Sequence, residues 1–340
     1  MVEQFSLFDA PQPLARSRAS SEIGAAEVSP DIAALGRALA RGAYLGTSSW
    51  AFPGWAGLVY DRPAAESTLS RRGLVAYSRH PVLRAVGIDR TFYAPIGSRD
   101  FAAYAEQVPQ GFRFLVKAPA AVTDAVVRGE RGRAAGDNPR FLDAALALES
   151  FVQPALEGLG DKAGPLVFQF SPLGRALTGE PARFVERLHA FLGTIREGLG
   201  GAPALVAVEL RDPEVLGDAL AAALDDVGAR YCFGVHSRMP SVAAQAAAMS
   251  ALSPGPMVAR WNLHSGFGYE EAKAQYAPFD RIVDEDPDTR ATLAKLAAEA
   301  IGRGAPAFVI ANNKAEGSAP LTVIELARAI AAAGGERPRA

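Results

Sequence analysis

The 340 residues carry 35 basic and 37 acidic side chains, so no global field draws the chain to nucleic acid or to an anionic membrane. Apolar residues make up 49% of the chain, enough for one large core, and none of the apolar runs approaches the roughly 20 residues that cross a bilayer. Cys232 is the only cysteine, which excludes an internal disulfide; with no basic-then-apolar leader, the expected location is the cytoplasm.

Residues 1–30 are rich in Ser, Ala, Pro and mixed charge and show no sustained apolar period, which predicts a mobile tail. Residues 31–41 predict a short helix over the bottom of the domain that follows. The tail is placed at 1–40, the main domain at 41–334 and a short C-terminal tail at 335–340.

From Tyr44 onward, eight short apolar runs recur, at 44–47, 83–88, 113–116, 166–168, 205–208, 231–235, 257–260 and 307–310. Each ends in polar or charged residues. These are Ser48 and Ser49, Asp89, Lys117, Gln169, Glu209 with Arg211, His236, Asn262, and Asn312 with Asn313 and Lys314. Unbroken apolar runs suit strands buried on both faces, and a helical stretch follows most of them. Eight such units predict a single α/β domain, a closed (β/α)₈ TIM-type barrel, which takes roughly 250 residues and carries its site at the strand C-termini. The rival, an open doubly wound sheet, calls for a Gly-x-Gly-x-x-Gly turn after the first strand. The chain reads Gly46-Thr-Ser-Ser-Trp50 there.

The helix after the second run is expected to start at Ser98 as N-cap and to bury Phe101, Tyr104, Ala105 and Val108. A later one buries Phe184, Leu188, Phe191, Leu192 and Ile195, and the seventh buries Leu293, Leu296, Ala297, Ala300 and Ile301. The sixth, with only Val242, Ala246 and Met249 on an alanine-rich stretch, is expected to be irregular. Three long connections, 50–66, 118–138 and 263–286, all leave strand C-termini and should gather over one mouth.

The motifs Gly46-Thr-Ser-Ser-Trp50, Thr91-Phe-Tyr93, Phe112-Arg-Phe-Leu-Val-Lys117, Gly164-Pro-Leu-Val-Phe-Gln169, Val208-Glu-Leu-Arg211 and Asn312-Asn313 follow one another in chain order. In that order they resemble the domain-of-unknown-function 72 (DUF72, YecE-like) family. The resemblance implies a TIM-type barrel and no agreed activity. Two positions make this a divergent member: Gly87 stands where a glutamate is common, and Asp124 where a histidine follows threonine.

Glu209 and Arg211 lie two apart on a predicted strand and so face one side, which in a barrel is the interior. A carboxylate there needs a partner, and Lys117 is a candidate. This predicts Glu209 as general acid or base, tuned by Lys117 and Arg211 and assisted by Asp89; a structural ion-pair layer is the alternative. Asp89 and Glu209 also suggest a glycosidase-like carboxylate pair. A Schiff-base role for Lys117 is disfavoured, because nearby acids would hold it charged. Arg260 and Lys314, with the N–H groups of Gly317 and Ser318, predict an anion site. Trp50 and Tyr93 are candidate stacking platforms, and Gln169, His236, Asn262, Asn312 and Asn313 candidate substrate ligands. Four histidines without ligand spacing predict neither a metal nor another cofactor.

In the tail, Gln4-Phe-Ser-Leu-Phe8 is similar to the peptide by which bacterial polymerases and repair proteins bind the sliding clamp. Gln4 would set register, and Leu7 and Phe8 would anchor. The leading expectation is a metal-independent acid–base enzyme acting on a small sugar-like or phosphorylated substrate. The alternatives are a DNA-associated protein or phosphodiesterase, with Arg128, Arg131 and Arg133 on the backbone and the tail on the clamp, and a non-catalytic binding module.

Overall fold

The computed structural model describes residues 22–128, 134–264 and 268–335. Strands run β1 Ala43–Thr47, β2 Ala85–Ile88, β3 Arg113–Lys117, β4 Val126–Arg128, β5 Ala134–Asp137, β6 Ala163–Gln169, β7 Val206–Glu209, β8 Arg230–Val235, β9 Met257–Trp261 and β10 Ala307–Ala311. All but β4 and β5 form one parallel closed barrel, in which β10 returns to pair with β1, Tyr44 opposite Phe308. β4 and β5 make a small antiparallel hairpin in the connection after β3. The eight apolar runs are therefore the eight barrel strands.

Side chains alternate in and out of the barrel wall with period two. Ala85, Leu115, Val167, Ala207, Cys232, Val258 and Ile310 form the interior apolar layer, with Tyr44 and Leu205 against it. Outward residues such as Val86, Phe114, Phe168 and Val208 belong to the larger core shared with the helices. Two residues further along the strands, the same inward register carries Gly87, Lys117, Gln169, Glu209, Gly234, Arg260 and Asn312. The interior thus turns from apolar to polar within one pleat, at the C-terminal ends.

The helix Pro181–Gly198 buries Phe184, Leu188, Phe191, Leu192 and Ile195 on its barrel face. The helix Pro287–Gly302 buries Leu293, Ala297 and Ala300, and its N-cap Asp286 accepts from Thr289 N at 3.1 Å. Three expectations are corrected. Ser98 is the first helical residue rather than the cap, a position held by Gly97 without a side-chain bond. The sixth helix, Val242–Ala248, is regular. Ser241 caps it, and buried Gln245 donates to Gly234 O and Pro240 O while accepting from the Tyr231 hydroxyl. Residues 22–29 are not tail: Ile23 is buried, and backbone bonds from Asp61 N to Gly24 O and from Ala26 N to Val59 O zip the segment onto the first long connection. β2 ends at Ile88, and a tight turn over Arg90–Phe92 follows it.

The helix Pro30–Ala38 sits beside the strand N-termini, where Arg84 donates to Gly36 O at 2.6 Å and Ala40 O at 2.8 Å. The first and third long connections meet at the opposite end. Phe52 packs edge-on to Phe279 at 5.9 Å, and a Cβ on Gly54 would fall 1.9 Å from Pro278 O. Gln4, Leu7, Phe8, Arg131 and Arg133 lie outside the described residues, as does the side chain of Arg128. Among the described residues, no helix is long and apolar enough to cross a membrane.

Candidate functional site

A cavity of about 380 Å³ opens among the strand C-termini. Nine of the candidate residues line it: Asp89, Tyr93, Lys117, Gln169, Arg211, His236, Arg260, Asn262 and Asn312. Seven strand ends supply them, because the inward register of a barrel converges on its axis. Ser171 and Arg238 also line it, two positions the sequence reading passed over. Both lie in loops just past strand ends, and a search of loop residues adjoining each apolar run could have found them.

Arg260 organises the floor. It is 3% exposed, and its Nη1 donates to Glu209 Oε2 at 2.8 Å and to Gln169 Oε1 at 3.2 Å. Its Nη2 forks across both oxygens of Asp89, at 2.9 and 2.8 Å. Glu209 is wholly buried, and its other oxygen accepts from Arg211 Nη1 at 2.5 Å and Asn262 Nδ2 at 3.0 Å. Gly234 makes room for this: a Cβ there would sit 2.8 Å from Arg211 Nη1 and 3.0 Å from Glu209 Oε1. Burial alone would raise the Glu209 pKa, but Arg211 and Arg260 outweigh it and hold the carboxyl down at about 2. Glu209 is therefore a fixed anion with both oxygens committed. This geometry places Glu209 in a buried ion-pair layer, the alternative that its strand position also offered.

The arginines leave Lys117 without an acid. Its Nζ lies 3.5 Å from the Phe92 ring centroid, and among the described residues no carboxylate comes within ion-pairing distance. Desolvation first, then Arg260 and Arg211, lower its pKa to about 8 against the opposing pull of Asp89 and Glu209. The main chain at this strand end is pinned by Thr91, whose Oγ1 donates to Lys117 O at 2.6 Å. His236 is likewise held neutral, its pKa down to about 4 through desolvation and Arg211. Its Nδ1 accepts from Arg238 N at 3.2 Å, which assigns the ring proton to Nε2.

Other candidates fall elsewhere. Trp50 is 6% exposed; it packs edge-on to Tyr104 and donates from Nε1 to Ser70 O, which binds the first connection to the helices instead of offering a platform. Tyr93, by contrast, stands 87% exposed at the rim. Asn313 is buried, its Oδ1 accepting from Trp55 Nε1 and Ala319 N. Lys314 lies behind Asn312, donating to its Oδ1 at 3.2 Å. The anion site drawn from Arg260, Lys314, Gly317 and Ser318 does not form. Arg260 is spent on carboxylates, Gly317 N donates to Asn313 O, and Gly317 is pressed against the backbone of Arg281 and Val283. Gly87 does face the interior, but a Cβ there would already crowd the Ser48 backbone at 3.1 Å. Among the described residues, no three His, Cys, Asp or Glu side chains group as a metal would need. A second cavity, about 480 Å³, lies at the strand N-termini between Tyr44, Arg84 and Phe112, away from the end where this fold gathers catalytic groups.

A parallel eight-stranded barrel with a polar cavity at its C-terminal mouth defines a protein of the TIM-type class. Within that class the chain belongs to DUF72, a family of unknown function, whose model matches residues 44–339. It is similar to the crystal structure of a DUF72 family protein from Enterococcus faecalis (15% identity, covering 85% of this chain and 95% of that one, TM-score 0.54). It is also similar to one from Thermotoga maritima (17% identity, 84% and 98% covered, TM-score 0.53). At these identities the likeness is one of fold. No curated protein matches the chain.

Proposed function

We propose that the cavity is the active site of an acid–base enzyme whose substrate is a small anionic molecule, sugar-like or phosphorylated. The observation that carries this reading is the charge at the mouth. Lys117, Arg211, Arg238 and Arg260 stand against Asp89 and Glu209, four cations to two carboxylates, in a cavity of about 380 Å³. Such a basin favours an anion small enough to be enclosed. The amides of Gln169, Asn262 and Asn312 add fixed donors and acceptors suited to hydroxyl groups.

Proton transfer falls to Lys117 rather than to Glu209 or Asp89, whose oxygens are held by arginines. A group whose pKa is about 8 is present in both forms near neutral pH, and it lines the cavity directly. Glu209 and Arg260 hold the floor rigid and oriented, so the field is set before substrate arrives. The test is a thermal-shift screen of small metabolites and oligonucleotides against wild type and Arg238→Ala, since a ligand that binds only the folded state raises its stability. Stabilisation by sugar phosphates or sugar acids that weakens in the variant supports the reading. Stabilisation by oligonucleotides alone would refute it.

A further inference from the structure

We propose that Lys117 is a covalent nucleophile, forming an imine with the carbonyl group of a small anionic aldehyde or ketone. The inference rests on the cavity being the active site, and it takes that site's chemistry one step further. The sequence argued against this role because acids nearby would keep the lysine protonated. The structure shows where those acids are engaged. Asp89 has both oxygens on Arg260 Nη2, and Glu209 has its two oxygens divided among Arg211, Asn262 and Arg260. The two carboxylates facing Lys117 thus serve guanidinium groups, which cannot give up their charge.

Comparison with other lysines sharpens the point. Lys162 Nζ donates to Ala105 O and Val108 O at 2.6 and 2.7 Å, and Lys314 Nζ to Asn312 Oδ1 at 3.2 Å. Lys117 Nζ, among the described residues, has the Phe92 ring and no hydrogen-bond acceptor. The ring favours the ammonium form but cannot take a proton, and the charges of Arg260 and Arg211 oppose that form. A desolvated amine beside other cations is the arrangement that makes lysine nucleophilic at neutral pH. Arg211 and Arg238 line the same cavity and can receive the anionic end of the ligand while its carbonyl meets Nζ.

The chemistry balances without an oxidant or reductant. The neutral amine adds to the carbonyl carbon, the nitrogen proton passes to oxygen, and a carbinolamine results. Loss of that hydroxyl as water, with the proton released when the ammonium ionised, leaves the protonated imine. The net change is one ammonium plus one carbonyl giving one iminium plus one water.

Reductive trapping tests this. The full-length protein is incubated with sodium cyanoborohydride and, separately, pyruvate, dihydroxyacetone phosphate or neutral dihydroxyacetone, and all five lysines are followed by peptide mass spectrometry. Exposed Lys273 and Lys295 serve as internal references. The expected result is an adduct at Lys117 forming at least about tenfold faster than at either reference with an anionic probe, with the neutral probe slower. Preference between pyruvate and dihydroxyacetone phosphate tells a carboxylate ligand from a phosphate one. Lys117→Arg, checked by circular dichroism, abolishes that adduct while the references still react. Labelling of Lys117 no faster than the references with every probe would overturn the inference. If the anionic probes still raised the melting temperature, the active-site reading would stand without the covalent step.

Discussion

Replacing Lys117 with methionine keeps the side-chain stem and removes the charge, and it should make the protein more stable. The lysine pKa falls from 10.5 to about 8, so the folded state disfavours its charged form by about 3 kcal/mol. Loss of the contact with the Phe92 ring gives back about 1–2 kcal/mol, leaving a net gain of about 1–2 kcal/mol. Below pH 8 the lysine is charged in both folded and unfolded chains, so the whole penalty is present in wild type. As pH rises from 8 to 10.5 the folded lysine releases its proton first and the penalty fades. Urea unfolding of both proteins should therefore show the variant ahead at about pH 7 and level or behind by about pH 10.5. Methionine that destabilises the protein at neutral pH would show that Lys117 is a satisfied ion-pair partner, and the reasoning about its reactivity would fail.

Glu209→Gln should do the reverse. It leaves Arg211 and Arg260 facing each other over an uncharged, buried amide, and stability should drop by about 3–5 kcal/mol in urea unfolding; an unchanged midpoint would remove the ion layer from the account of the fold. His80, 5% exposed and held neutral by desolvation with its pKa near 4, should make stability decline as pH falls from 6.5 toward 4, by up to about 3 kcal/mol. His80→Asn, which retains an acceptor for Val82 N, should flatten the unfolding free energy in that window, and a slope equal to wild type would point to another group. We further propose that residues 4–8 form a clamp-binding peptide. A synthetic peptide of residues 1–13 should bind bacterial sliding clamp at micromolar strength, about −8 kcal/mol, and alanine at Leu7 and Phe8 should abolish it in calorimetry. No heat with the native peptide would reduce the motif to chance.

The barrel was legible because its strands are buried on both faces, so each shows as an apolar run with no alternation to obscure it. The polar residues at the run ends were legible for the same reason, since a strand must leave the core somewhere and does so at the mouth. Pairing was not. Arg260 reaches Asp89 across 171 positions of chain, and nothing local distinguishes that fork from a pairing of Asp89 with adjacent Arg90, which instead donates to Tyr104. The long-range pairings of Arg260 and Arg211 changed the reading of the site: they make Glu209 a fixed anion, engage Asp89 and leave Lys117 without an acid. Trp50 misled for a related reason, because an aromatic near a strand end carries no sign of which way it turns. Residues 22–29 misled because Ile23 is a single anchor, too little to produce a period.

The central claim is that Lys117 is an unpaired amine in an anion-binding active site. Side-chain NMR of protein carrying labelled lysine measures it most directly, because only five lysines contribute. Two resonances should titrate near 8, those of Lys117 and Lys314, with the Lys117 signal identified by its absence in Lys117→Met. On addition of a sugar phosphate the Lys117 signal should shift while those of exposed Lys273 and Lys295 stay in place. A Lys117 resonance that titrates at 10.5 or above, or one that no small anion moves, would contradict the account.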